Sequence, residues 1–231
     1  MDVTQLTMFH LKMMEDQDLP VLTLKELFSS MNGGGISNGT RGVYNSGEAP
    51  SGVSANIQFI TIATTGNSID FGNLTSSRYG GARGNSSTRG IFMGGSSYSN
   101  VIDYVTIATP GNATDFGDGT LVRTELMGAS DSSRSLFAGG YGDGSATERV
   151  TIDYVTTQTT GNATDFGDLT GQRFDGSASS NGTKALFTGY HDNATSNIID
   201  QVTIQTAGNA TDFGDLTYAR YGLGGASGTA S

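Results

Sequence analysis

Short runs of alternating apolar and polar residues recur from Ser37 onwards, separated by turns rich in glycine, asparagine and serine. One run reads DYVTIAT from Asp103, and related runs start at Phe59, Asp153 and Asp200. A period of two places successive side chains on opposite faces of a strand, and β-branched residues favour strands. The pattern therefore predicts an all-β fold of short strands joined by tight turns.

The most regular element is the motif Gly-Asn-Ala-Thr-Asp-Phe-Gly-Asp-Leu-Thr. Its four copies begin at Gly66 (as the variant GNSIDFGNLT), Gly111 (as GNATDFGDGT), Gly161 and Gly208. Successive copies therefore lie 45, 50 and 47 residues apart, and each unit contains four strand-like runs. Repeats of this length built from four strands are typical of propellers and similar arrays.

An arginine follows the aspartate of each copy by eight residues, as from Asp115 to Arg123. We interpret the repeated phenylalanines as core anchors between units. The aspartates and arginines are interpreted as structural ion pairs rather than a catalytic or calcium site, because a planar guanidinium suits a carboxylate in a confined space. The positions are Phe71, Phe116, Phe166 and Phe213, with Asp70, Asp115, Asp165 and Asp212 and Arg78, Arg123, Arg173 and Arg220.

The last residue lies 18 positions after Phe213, where the strand that begins with Arg41 would come next. We therefore expect one unit to be split, with its first strand from residues 220–227 and its other three from residues 39–75. Such one-plus-three closure would join four units into a small four-bladed β-propeller without open strand edges.

Residues 1–36 differ from the repeats and contain five of the seven methionines. Two helix-start signals, Asp2 with Gln5 and Thr23 with Glu26, precede apolar runs and predict a short helical arm that ends in a glycine linker. One interpretation is a cap packed on the domain of residues 37–231. The other, which we favour, is a docking arm on another protein, since methionine adapts to irregular surfaces. The candidate docking residues are Leu6, Phe9, Met13, Leu24, Leu27 and Phe28.

Variation in unit length is confined to one connection of each unit, at residues 45–56, 94–100, 139–149 and 189–197. Equivalent loops of a repeat array emerge on one face, which makes this face the variable surface. Its loops and their edges carry ring side chains suited to stacking on sugars or filling pockets. These candidate ligand-binding residues are Tyr44, Tyr98, Tyr141, Tyr190 and His191.

The series aromatic-x-x-Leu, arginine and glycine-ended apolar strand, as in Arg134-Ser-Leu-Phe-Ala-Gly-Gly, resembles a kelch-type propeller blade. Phenylalanine stands where tryptophan is usual in such blades. The phrase DYVTIAT, followed by GNATDFGDLT and arginine, resembles the kelch-like repeats in virion structural proteins of tailed bacteriophages, especially marine ones. The resemblance covers residues 37–231.

This resemblance implies a virion structural protein, an exposed capsid decoration or tail fibre module that is present in symmetric copies. Residues 1–36 would attach it to other virion proteins of the capsid, neck or tail. The alternative function is an adhesin for host attachment, which would bind a glycan or receptor on the host surface through the variable loops.

Composition narrows these expectations. The net charge of −10 without a basic stripe argues against nucleic-acid binding. The chain has no cysteine, no leading signal pattern and no apolar run long enough for membrane insertion, so we expect synthesis in the host cytoplasm. Kelch-type copper oxidases use a cysteine-linked tyrosine and histidine ligands, whereas this chain offers only His10 and His191. We therefore predict neither an enzyme nor a bound cofactor or metal.

Overall fold

A computed structural model describes residues 35–45, 47–49, 52–142, 150–190, 196–220 and 222–225. Within these residues the chain is all-β, with four four-stranded antiparallel sheets and one two-stranded hairpin. The predicted all-β class and the four units of four strands are confirmed. The docking residues between Leu6 and Phe28 lie outside the described residues, as does His191.

Each sheet is formed by strands that are neighbours in the chain. Sheet I contains β1, β2, β5 and β6, and the hairpin β3–β4 is inserted between its second and third strands; sheets II, III and IV contain β7–β10, β11–β14 and β15–β18. The strands are β1 Ile36–Ser37, β2 Arg41–Asn45, β3 Glu48–Ala49, β4 Gly52–Val53, β5 Asn56–Thr61, β6 Ile69–Asn73, β7 Ala82–Asn85, β8 Arg89–Met93, β9 Val101–Thr106, β10 Thr114–Asp118, β11 Met127–Ser130, β12 Arg134–Ala138, β13 Thr151–Thr156, β14 Thr164–Asp168, β15 Phe174–Ser180, β16 Lys184–Tyr190, β17 Ser196–Thr203 and β18 Thr211–Arg220.

The first strands of the four sheets surround a central cavity of about 910 Å³. Ser37, Asn85, Ser130 and Ser180, one from each first strand, all border it. Neighbouring first strands approach closely, since a Cβ atom added to Gly128 of β11 would overlap the backbone of β7. In each sheet the first strand lies at the central cavity and the fourth strand is the outer edge, so the arrangement is propeller-like.

The hydrophobic core consists of three clusters, and each cluster lies between two consecutive sheets. In the first, Phe71 of sheet I packs with Phe92 and Ile107 of sheet II. In the other two clusters, Phe116 of sheet II packs against sheet III and Phe166 of sheet III packs against sheet IV. Because no sheet has a separate core, each sheet depends on its neighbours for burial of its apolar side chains.

The fourth phenylalanine departs from the predicted anchor role. Phe71, Phe116 and Phe166 are only 2 to 3% exposed, whereas Phe213 is 52% exposed. The reason is that β18 is the outer strand of the last sheet, and no described residue packs on its outer side in the way that a following sheet would.

The first strand of sheet I is β1, which pairs through Ile36 with Val43 and through Ser37 with Gly42. The repeat pattern predicts residues 220–227 in this place and puts Ile36 in the arm, so the structure differs at this strand. Residues 222–225 instead lie beside β15, where the backbone N–H of Gly222 donates to the carbonyl of Asp175 at 3.1 Å. Because residues 226–231 lie outside the described part, the one-plus-three closure stays a prediction.

The contrast between buried and exposed phenylalanines gives a direct stability test. Phe166→Ala removes a buried ring and is expected to lower the free energy of unfolding by about 3–5 kcal/mol. Phe213→Ala is the matched control and should change it by no more than about 0.5 kcal/mol, because the ring is half exposed. Urea denaturation of the two variants measures both values, and equal losses would show that Phe213 is also buried in solution.

Candidate functional site

Buried ion pairs join each sheet to the next, but with partners other than those predicted. Arg78 lies 2.8 Å from Asp103, and the pairs Arg123–Asp153 and Arg173–Asp200 are 2.7 and 2.9 Å long. All six side chains are at most 3% exposed. The arginine follows the fourth strand of one sheet and therefore reaches the third strand of the following sheet, not the aspartate eight residues earlier.

Each of these carboxylates is also held by a threonine, the last residue of the repeated motif. Asp103 accepts bonds from the hydroxyl of Thr75 at 2.7 Å and from its backbone N–H at 3.0 Å. Thr120 and Thr170 bind Asp153 and Asp200 in the same way. A buried charge pair is stable only when its remaining hydrogen-bonding capacity is met in this manner.

The aspartates of the motif itself serve a local purpose. Asp115 accepts the backbone N–H of Gly117 at 3.1 Å, across a β-bulge in the pairing of β10 with β9. Asp165 and Asp212 make the same bond to Gly167 and Gly214, and Asp70 instead accepts from Asn56. Asp115, Asp165 and Asp212 thus stabilise the bulge. The arginines described above bond instead to Asp103, Asp153 and Asp200, so the predicted pairing is wrong.

The Gly-Asn turn of each following sheet docks on the phenylalanine strand. At the first junction the N–H of Gly111 donates to the carbonyl of Phe71 at 2.7 Å, and the side chain of Asn112 accepts the N–H of Asn73 at 3.1 Å. A Cβ atom on Gly72, which has a φ of +142°, would overlap the backbone of Gly111. Glycine is required here for both conformation and close approach.

A second set of arginines spans the same junctions. The guanidinium of Arg89 lies 4.2 Å from the ring centre of Tyr104 in its own sheet and donates to the carbonyl of Thr157 in the next sheet at 3.2 Å. Arg41 and Arg134 make the equivalent contacts. Stacking on a ring and bonding to a carbonyl use two separate properties of the guanidinium group.

Sheet IV breaks this regularity at two positions. Lys184 replaces the stacked arginine and donates to Gln201 at 2.9 Å. Arg220, the fourth predicted ion-pairing arginine, is exposed and forms no ion pair among the described residues. Its partner in sheet I would be Gln58, which stands where sheet II has Asp103. A fourth Arg–Asp pair of this kind is therefore not encoded.

The loops of the variable face bring three aromatic rings together. Tyr98 follows β8, Tyr141 follows β12 and Phe174 begins β15; we call these residues the aromatic cluster. The ring centres of Tyr98 and Tyr141 are 6.0 Å apart, and those of Tyr141 and Phe174 are 5.7 Å apart. Tyr98 is 41% exposed, so the cluster presents an apolar face to solvent.

Backbone geometry holds this cluster in place. Tyr141 exchanges two backbone hydrogen bonds with Thr124, of 2.7 and 2.9 Å. Tyr98 and the preceding Ser97 both have positive φ angles, of +51° and +67°, a conformation that turns the loop back on itself. The sequence analysis did not identify Phe174 as a site residue, because this residue begins a strand and is not part of a variable loop.

The other predicted ligand-binding residues do not join the cluster. Tyr44 lies on β2 of sheet I and is 47% exposed. The side chain of Tyr190 and all of His191 fall outside the described part of the chain. Of the five candidates, the structure therefore brings together Tyr98 and Tyr141.

Two charged groups beside the central cavity have shifted pKa values. Burial lowers the pKa of Arg83 to about 10, so the group remains cationic at neutral pH. Partial burial alone would raise the pKa of Asp131, but hydrogen bonds from the side chain of Gln205 and from Ser133 and Arg134 outweigh it and hold the pKa below its ordinary value. The carboxylate therefore keeps its bond to Gln205 of sheet IV at neutral pH.

Among the described residues, no three acidic or histidine side chains lie close enough together to bind a metal ion. None of the described segments is a helix with the length and apolarity needed to cross a bilayer.

Comparison with known proteins identifies no relative: no protein-family model matches the chain, and no curated protein matches it.

Removing one buried cation tests whether the junction depends on its ion pair. Arg173→Met leaves Asp200 buried without its cation and is expected to lower the free energy of unfolding by about 3–5 kcal/mol. Arg220→Met, which changes the exposed member of the series, should cost less than about 0.5 kcal/mol. Chemical denaturation of both variants checks this, and an unchanged Arg173→Met protein would show that the pair contributes nothing.

Proposed function

We propose that this protein is a non-enzymatic structural component of a tailed-bacteriophage particle. It would be a four-bladed kelch-like propeller exposed as a decoration or fibre module. The main support is the placement of the buried arginines and aspartates. They form one ion pair at each of three equivalent junctions and do not converge on one reaction centre. Such a scaffold serves display and attachment, and the resemblance of its repeats to virion proteins supplies the setting.

The start of the described chain supports the proposed role of the arm. Gly35 and β1 lie at the central cavity, so the described chain begins at the centre of the array and not at its rim. In this proposal Leu6, Phe9, Met13, Leu24, Leu27 and Phe28 contact a capsid, neck or tail protein, and symmetric copies occupy equivalent sites on the particle.

The course of residues 222–225 beside β15 supports continuation onto a following sheet. One backbone hydrogen bond recurs between successive sheets at the start of their first strands. The N–H of Glu125 donates to the carbonyl of Gly80, that of Asp175 to Glu125, and that of Gly222 to Asp175. Residues 222–225 therefore begin where a fifth first strand would begin. One-plus-three closure onto sheet I of the same chain is one way to complete this course.

Deletion of the arm tests the virion role. A variant that begins at Gly35 keeps β1 intact and should retain the β-sheet spectrum and thermal unfolding of the full chain. It should be lost from purified particles, as measured by mass spectrometry of virions made with either form. The double variant Phe9→Ser/Leu27→Ser is a milder test of the same contacts, and normal incorporation of both would contradict docking through the arm.

The aromatic cluster favours a second function, the binding of a host-surface glycan. Adjacent rings give a sugar a flat apolar surface, and aromatic residues with nearby polar groups are common in ligand sites. The two functions are compatible, because a decoration protein with a sugar site would also serve host attachment.

Glycan arrays separate plain decoration from attachment. If a sugar stacks on the cluster, Tyr98→Ala should weaken binding by about tenfold or more, equivalent to roughly 1.4 kcal/mol. Tyr44→Ala removes an equally exposed ring outside the cluster and should leave binding unchanged. Absence of binding across the array would favour the plain decoration role.

A further inference from the structure

The outer edge of sheet IV is the first half of a junction, and no second half is docked on it in the described chain. We call Phe213, Gly214 and Asp215 the sheet IV edge. A Cβ atom built on Gly214 would meet no described atom within 4 Å, whereas the equivalent glycines of sheets I, II and III abut the turn of the following sheet. Phe213 is 52% exposed, although its three counterparts are buried.

Sheet I carries the complementary half. We call Ile62 together with the turn Gly66-Asn67-Ser68 the sheet I turn. Ile62 is 53% exposed, whereas its counterparts Ile107, Thr157 and Ile204 have no exposed surface. The turn keeps the Gly-Asn pair that docks on the preceding sheet at the other three positions.

The two halves match bond for bond. At the first internal junction the N–H groups of Gly111 and Ala113 donate to the carbonyls of Phe71 and Asn73, and Asn112 accepts the N–H of Asn73. The sheet IV edge offers the equivalent carbonyls of Phe213 and Asp215 and the N–H of Asp215. The sheet I turn offers the N–H groups of Gly66 and Ser68 and the side chain of Asn67. Exposed strand edges of this kind are ready to pair with another chain.

We propose that the sheet IV edge of one molecule binds the sheet I turn of a second copy, head to tail. A second copy is favoured over closure within one chain because the two halves do not meet in the described chain, where Gly214 faces no atom within 4 Å and Ile62 is 53% exposed. The three junctions inside the chain show what covers each such edge, namely the Gly-Asn turn of another repeat.

The junction between copies would be the weakest of the four. It lacks a buried Arg–Asp pair, because Arg220 is exposed and Gln58 replaces the aspartate. A contact of this strength suits reversible association more than folding. Head-to-tail contacts use two different surfaces and therefore build closed rings or open filaments. This association is independent of the proposed virion role, and it is an alternative to one-plus-three closure within one chain.

Sedimentation of the full chain over increasing concentration tests the proposal. The average mass should rise with concentration, and both Phe213→Asp and Ile62→Asp should keep the protein monomeric. Val53→Asp, which changes an exposed apolar residue outside both halves, should associate like the wild type. A wild type that stays monomeric throughout, or variants that associate as the wild type does, would overturn the proposal.

Mixing the two variants sharpens the result. The Phe213→Asp chain retains an intact sheet I turn, and the Ile62→Asp chain retains an intact sheet IV edge. An equimolar mixture should therefore form a dimer that cannot extend, although each variant alone is monomeric. A mixture that remains monomeric would contradict head-to-tail binding.

Cysteine cross-linking distinguishes a second copy from the same chain, since the protein has no cysteine of its own. Asn67→Cys in one chain and Asp215→Cys in another should give a mixed disulfide-linked dimer on oxidation. If a chain that carries both changes forms only an internal disulfide, the ring closes within one molecule and the proposal fails. A loss of unfolding free energy in Phe213→Asp as large as in Phe166→Ala would lead to the same conclusion.

Discussion

The junction between consecutive sheets is the constraint on which this fold depends. Each of the three core clusters lies between two sheets, so a four-stranded sheet alone would leave much of its apolar surface in water. The buried pair of Arg123 with Asp153 strengthens this dependence, because either charge alone would be buried at a large cost. Sheets therefore fold with their neighbours, as in other repeat arrays whose stability comes from interfaces between units.

The loop face is tied to the same junctions. Phenylalanine, Gly-Asn turn, threonine, arginine and third-strand aspartate are all used between sheets, and the buried Arg123 also donates to the loop carbonyls of Ser99 and Gly139. The aromatic cluster depends on the same network, since Tyr98, Tyr141 and Phe174 come from sheets II, III and IV. A ligand bound there would sense the relative position of three sheets. Stability at the junctions and recognition at the loops are therefore coupled through shared contacts.

The array differs at its two ends from its interior. Internal turns and edges are covered, whereas Phe213 and Ile62 expose about half of their surface. The substitutions Gln58 for aspartate and Lys184 for arginine occur in sheets I and IV, the two sheets that would meet at a fourth junction. The chain thus retains the backbone chemistry of docking at its ends while it omits the buried charge pair. This combination is expected where contact must form between separate molecules and remain reversible.

The sequence by itself determined the all-β class, the four units of four strands and the phenylalanines that fill three of the four expected core positions. Alternating apolar residues and Gly-Asn turns are local signals, and they specify local structure. Only the tertiary structure decided the ion-pair partners. The constant eight-residue spacing from Asp115 to Arg123 suggested a pair, but the arginine crosses to the next sheet, where Asp153 lies beyond a loop of variable length. It also decided that Phe213 stays exposed and that Phe174 joins two loop tyrosines, because burial and proximity depend on which repeat, if any, packs against each edge.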